Sequence, residues 1–178
     1  RTVIVERNPG TVHEPRAVSI DDESMRTMQA AGLDAAAEDI VSRGYGSRYL
    51  GPNGGCFALV DPISKTFGFD KRNAFQQPEL EAVLLDGIAR FDGVSCLLEH
   101  ELVDFMQSDN KVCADIQRQD GSMLQVTADY MVACDGGRSD IRKSLGIELI
   151  GSTFAERWLI VDLFQTANRC RHTEVSCN

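Results

Sequence analysis

No apolar run in this sequence approaches the roughly 20 residues that a membrane-spanning helix needs. The chain opens directly on Thr2-Val3-Ile4-Val5, with no charged leader and apolar core of a signal peptide. Its six cysteines (Cys56, Cys96, Cys113, Cys134, Cys170, Cys177) are scattered, with no CxxC pair and no zinc-like spacing. Cys170, His172 and Cys177 come closest, but a second ligand pair is missing. Most of the cysteines read as small hydrophobes of a reducing cytoplasm. Positive charge is short as well: 18 Lys and Arg against 27 Asp and Glu give a net charge of −9. That balance argues against nucleic acid or an anionic membrane as partner. There are no internal repeats, no low-complexity segment and no long charge run. The three histidines (His13, His100, His172) have no evident serine or cysteine partner. No nucleophile–base arrangement is visible, and no catalytic side chain is assigned.

What is present is a globular composition, 43% hydrophobic and 25% charged over 178 residues, enough to bury a core. Thr2-Val3-Ile4-Val5-Glu6-Arg7 is a β-branched strand ending in an acid. A turn follows at Asn8-Pro9-Gly10. Asp21 to Gly32 reads as a helix with acids in its first turn and a glycine stop. A second short helix is expected over Ala35–Arg43. Tyr45–Leu50 and Cys56–Val60 flank Gly51-Pro52-Asn53-Gly54-Gly55, a hairpin signal. Gly44-x-Gly46 is no phosphate loop, because Tyr49 stands where the third glycine belongs. Leu80, Val83, Leu84, Ile88 and Phe91 repeat at helical spacing behind Pro78, which suits a first helical turn. Gln77, just before it, offers an amide to a ligand or a cap. Strands are expected at Val94–Glu99, Glu101–Gln107, Val112–Gln117 and Met123–Thr127, forming a β-meander. Alternating strands and helices argue for an α/β core with antiparallel pieces outside it.

The stretch around which this order turns is Ala128 to Arg142. Tyr130–Cys134 reads as a buried strand, Gly136-Gly137 as a sharp turn, and Ser139 or Asp140 as the cap of a helix. Asp135, bare glycine backbone and the guanidiniums of Arg138 and Arg142 are chemistry suited to a polyol joined to a phosphate. An ordinary strand–turn–helix corner fits the same residues. A turn and a further strand are expected over Thr153–Leu163, and the remainder reads as polar.

Four phrases carry a resemblance. They are Pro15–Glu23, Arg72-Asn73-Ala74-Phe75-Gln76-Gln77-Pro78-Glu79-Leu80, Val132–Ser139 and Arg157-Trp158-Leu159-Ile160-Val161-Asp162-Leu163. In this order they resemble the FAD-dependent aromatic hydroxylases, class A flavoprotein monooxygenases of the p-hydroxybenzoate hydroxylase type. Within that family they are most similar to the hydroxylases of 3-hydroxyphenylpropionate-like acids. The resemblance implies a partial Rossmann-like FAD-binding domain over residues 1–44 and 76–150. It implies an antiparallel β substrate-domain portion over 45–75 and 151–178. It assigns Glu6 to the adenosine ribose and Arg7 to the neighbourhood of the adenine. Arg16 and Gln77 fall to the pyrophosphate and ribityl region. Asp135 and Gly136 match the family's DG motif, and Arg142 the arginine after it. The implied reaction hydroxylates a phenolic ring with O2 and NAD(P)H as co-substrates. Arg48, Tyr49, Arg72 and Arg157 are candidates for a substrate carboxylate, against ordinary surface charge.

The family's GxGxxG loop and its later GD motif are not found in the sequence. The chain therefore reads as a central portion of a larger hydroxylase, inactive by itself. It is expected to pair with the parts it lacks or to self-associate through exposed edges. Two other readings stand beside this one. One is a non-catalytic flavin-fold fragment that binds no FAD alone. The other is a flavin-dependent tailoring oxygenase or halogenase.

Overall fold

The computed structural model describes residues 1–157, 159, 161 and 172–177. These form two compact units, one of residues 1–98 with the C-terminal strand, the other beginning at Glu99.

In the first unit, β1 (Thr2–Glu6) pairs in parallel with β6 (Val94–Leu98), from Thr2 opposite Val94 to Glu6 opposite Leu98. A parallel pair requires a crossover, and the crossover here carries the helices. β2 (Ser19–Asp21) runs straight into α1 (Asp22–Ala30), and β5 (Arg72–Ala74) leads to α3 (Gln77–Ile88). β2 and β5 are antiparallel partners, with Asp21 opposite Arg72, so α1 and α3 start from opposite ends of the pair. Asp21 caps α1 by accepting the Ser24 N–H at 2.8 Å. Gly32, at φ 67°, ends the turn after α1 in the left-handed region that glycine adopts without steric cost. α2 (Asp34–Ile40) follows at once and stops short of the expected Arg43. Val41 is extended, and Ser42 pairs with Ala74 as an isolated bridge. Tertiary pairing has overridden helix propensity there.

The core of this unit gathers Ile20, Met25, Met28 and Ala37, with Leu33, Val41, Phe69, Phe75, Leu80 and Val83 packed against it. Met25 and Met28 share one face of α1, and Met25 is 1% exposed. Gly87 of α3 leaves room for Leu33, whose methyl carbons would lie within 3.0 Å of a Cβ placed there.

The expected hairpin forms as β3 (Gly46–Leu50) and β4 (Cys56–Val60). A strand missed by the sequence reading joins it: β10 (His172–Ser176) pairs in parallel with β3. Only Val175 had marked this polar stretch as apolar, and its register is set by a partner about 126 residues away.

In the second unit, β7 (His100–Gln107), β8 (Val112–Arg118) and β9 (Met123–Ala128) form an antiparallel meander over Ile116, which is 1% exposed. The expected meander is therefore one strand shorter. Val94–Leu98 belongs to the parallel pair with β1 instead. The buried strand expected at Tyr130–Cys134 is also corrected. These residues are irregular, with Tyr130 88% and Val132 81% exposed. A strand exists by pairing, and no described segment pairs with this run. α4 (Asp140–Ser144) follows the glycine turn. The strand expected near the end of Thr153–Leu163 falls partly outside the described residues, and 153–157 are irregular.

Candidate functional site

The residues proposed from sequence fall into two groups, one in each unit. In the first, Glu6 ends β1 at the carboxyl edge of the parallel pair, where α/β folds place ligands. Its Oε1 accepts the backbone N–H of Asn8 at 2.8 Å and the Asn8 side-chain amide at 2.6 Å. Its second oxygen has no partner among the described residues. Arg7, the next residue, is exposed.

Arg16 lies on the irregular segment before β2. Its backbone N–H donates to Gln77 Oε1 at 2.8 Å, and the Ala17 N–H donates to the same oxygen at 2.9 Å. Gln77 is the first residue of α3, and Glu81 lies one turn later on the same face. Gln77 Nε2 donates to Glu81 Oε1 at 2.6 Å, and Glu81 Oε2 accepts the Val12 N–H at 3.1 Å. The Gln77 amide is thus engaged mostly within the chain, with one N–H left for a ligand. The Arg16 guanidinium is exposed and makes no bond among the described residues, so it is available to an anion. Glu81 was not singled out from the sequence. Its only signal was the four-residue spacing from Gln77.

In the second unit, Asp135 and Ser139 bracket the glycine turn. Gly136 has φ 78°, a conformation that non-glycine residues rarely adopt. Asp135 Oδ2 accepts the Ile141 N–H at 3.2 Å. The Ser139 hydroxyl beside Asp135 holds its carboxyl below the ordinary value, against the opposing effect of burial, with the Ile141 N–H adding to the lowering. Ser139 is buried and caps α4, its Oγ accepting the Arg142 N–H at 3.0 Å. Arg142 turns its guanidinium back onto the chain, donating to Gly137 O at 3.0 Å and Ile147 O at 3.2 Å. Arg138 is exposed. The free anion-binding fork expected of two arginines is therefore reduced to Arg138, while Arg142 holds the turn together.

Of the candidates for a substrate carboxylate, Arg48 pairs with Glu174 at 3.1 Å on adjacent strands. Arg72 donates to Ser47 Oγ at 2.8 Å, and Tyr49 packs against Phe57. Arg157 is exposed. Asn73, which sequence reasoning did not single out, is 2% exposed and donates to Asp70 O at 2.9 Å and Ile20 O at 3.4 Å. It ties β5 to β2 inside the matched phrase. His172 Nδ1 accepts the Gly46 N–H at 3.2 Å, and Cys170 lies outside the described residues. Among the described residues no cluster of His, Cys, Asp and Glu has the makings of a metal site.

The chain is 37% identical over 176 residues to a 3-(3-hydroxy-phenyl)propionate/3-hydroxycinnamic acid hydroxylase of Escherichia coli. It is 36% identical to the Shigella sonnei protein of the same name. Both matches cover 99% of this chain and 32% of the relative, so the chain spans about a third of those proteins. In fold it is similar to p-nitrophenol 4-monooxygenase of Pseudomonas putida, with a TM-score of 0.75 and 21% identity over 82% of this chain and 37% of that one. It is also similar to the flavin-dependent monooxygenase PieE, solved with FAD and substrate, with a TM-score of 0.74 and 22% identity over 84% of this chain and 28% of that one. The model of the FAD binding domain family matches residues 1–177, and the chain belongs to that family.

Proposed function

We propose that this chain is part of a flavin-dependent monooxygenase that hydroxylates a phenolic, 3-hydroxyphenylpropionate-like acid with NAD(P)H and O2. The observation that carries the reading is the near end-to-end similarity to hydroxylases of such acids. The residues fit FAD in kind. Glu6 offers a carboxylate oxygen to ribose hydroxyls at the end of a parallel strand. Arg16 offers an uncommitted guanidinium to the pyrophosphate. Arg7 lies beside Glu6 for the adenine. Gln77 has one N–H remaining for the ribityl and pyrophosphate region. Asp135 and Gly136, locked by Ser139 and Arg142, present a rigid turn. FAD, when bound, supplies the redox chemistry with O2, while the chain's groups bind and orient.

In this reading residues 1–44 and 76–150 belong to the FAD-binding domain, and 45–75 with 151–178 to the substrate domain. The joining of β10 to β3 and β4 supports the second grouping, since it gathers residues 46–60 and 172–176 in one sheet. The chain by itself is read as inactive, supported by its covering a third of the curated relatives.

The test is to express the protein the gene encodes, supply FAD and NAD(P)H, and follow the nicotinamide absorbance with 3-(3-hydroxyphenyl)propionate present. Substrate-stimulated oxidation and a product one oxygen heavier are expected. A protein that binds FAD yet adds no oxygen to any phenolic acid would overturn the reading.

A further inference from the structure

We propose that Gln77 and Glu81 are a positioning pair that fixes the course of residues 12–17 and thereby aims Arg16 at an anionic ligand. The pair lies one helical turn apart on α3, and its side chains engage three backbone N–H groups of a segment with no regular structure. Gln77 Oε1 takes the N–H groups of Arg16 and Ala17, and Glu81 Oε2 takes that of Val12. The link between them, Gln77 Nε2 to Glu81 Oε1 at 2.6 Å, keeps both acceptors at fixed separation. Two N–H groups on one side-chain oxygen settle the backbone on both sides of the Arg16 Cα. With Arg16's own side chain uncommitted, that backbone is what limits where the guanidinium can reach.

The chemistry of the pair makes a prediction that a merely packed contact does not. Gln77 acts as acceptor to the segment and donor to Glu81, and Glu81 acts only as acceptor. Gln77→Glu alone places two carboxylates in hydrogen-bonding contact. Glu81→Gln alone sets a second N–H donor against either Gln77 Nε2 or the Val12 N–H. The double variant Gln77→Glu with Glu81→Gln restores all four bonds with the link reversed. The new carboxylate at position 77 would accept from Arg16, Ala17 and the new amide at position 81, whose oxygen would accept from Val12.

This proposal rests on the FAD reading only for the identity of the anion, so two measurements separate them. The first is amide hydrogen exchange in the chain without FAD, using α3 interior amides as internal reference. Exchange at Val12, Arg16 and Ala17 is expected to rise about five- to tenfold in either single variant, the loss of roughly one net hydrogen bond. It is expected to return to the parent rate in the double variant. Unchanged exchange in the single variants, or no return in the double, would overturn the pairing. The second is FAD titration of the encoded protein. Dissociation constants are expected to rise about tenfold in Glu81→Gln, whose side chain is assigned no part in the FAD site, and in Arg16→Gln. A protein whose affinity falls with Arg16→Gln but ignores a loosened segment would overturn positioning. A protein whose FAD affinity is indifferent to Arg16→Gln itself would overturn the FAD assignment of Arg16, and leave the exchange result to judge the pair.

Discussion

The Asp135 carboxylate accepts the backbone N–H of Ile141 at 3.2 Å, reaching across the glycine turn into the first turn of α4. Because the Ser139 hydroxyl beside it, and then this bond, favour the ionised form more than burial opposes it, the Asp135 pKa lies below the ordinary 3.8. A group with a depressed folded pKa contributes stability above its unfolded value and loses it as pH falls through the folded one. The turn is therefore expected to stay intact down to about pH 4 and to loosen only below it. Following the Ile141 amide by NMR should give a midpoint under 3.8. A midpoint above that value would mean the carboxylate is not bonded as described.

Gly46 opens β3, the central strand of the three-stranded sheet. A Cβ there would run into the Val60 carbonyl oxygen and the His172 ring, and the first is backbone that cannot swing aside. Gly46→Ala is expected to destabilise the first unit by about 1–3 kcal/mol. Urea midpoints compared with Gly55→Ala, where a Cβ meets open space, provide the measurement. Equal midpoints would argue against the pairing of β10 with β3.

Met25 is the deepest large apolar side chain of the helical core. Truncation to Ala removes its transfer energy and leaves a cavity between α1 and α2, a loss of about 2–5 kcal/mol. Thermal unfolding should show it plainly, whereas Met106→Ala, at an exposed position, should shift little.

Asn73 is buried with two carbonyls as partners, one of them that of Ile20 in the middle of β2. Asn73→Ala leaves both without their donor and is expected to cost about 1–3 kcal/mol. The Phe75 N–H, bonded to Val18 O at 3.2 Å just beyond the strand pair, should exchange faster in the variant. An unchanged rate there would show that Asn73 does not hold β2 to β5.

Asp21 caps α1, and its bonds from the Ser24 hydroxyl and N–H lower its pKa. Asp21→Ala is expected to destabilise the chain by about 0.5–2 kcal/mol at neutral pH. The difference between parent and variant should shrink as the solution is acidified below about pH 4, where the parent carboxyl also begins to lose its charge. A difference that persists at pH 2 would point to packing and not capping.

How far the site could be read ahead depended on the kind of signal each residue carried. Glu6, Arg16 and Gln77 stand in phrases that match a family in order. Glu6 and Arg16 keep a group open to a ligand. Gln77 and Arg142 turn most of their polar atoms back onto the chain, which no spacing could reveal. An amide or a guanidinium has the same composition whether it faces a ligand or its own backbone.

The sequence by itself determined the elements whose causes are local. Asp21 and Gly32 bound α1, Pro78 opens α3, and glycine-rich turns separate the strands, because capping, φ restriction and side-chain periodicity act within a few residues. Its order of phrases also determined the family. Only the tertiary structure decided which strands meet. Val94–Leu98 left the expected meander for β1, and His172–Ser176 joined β3 from a stretch with little apolar pattern. Tyr130–Cys134, a nearly all-apolar run expected to be a buried strand, stayed unpaired among the described residues. Strand identity is a relation between two segments, and the hydrogen bonds that create it belong to neither alone. The same holds for the bonds from Gln77 to the Arg16 backbone, 61 residues apart in sequence and joined only by the fold.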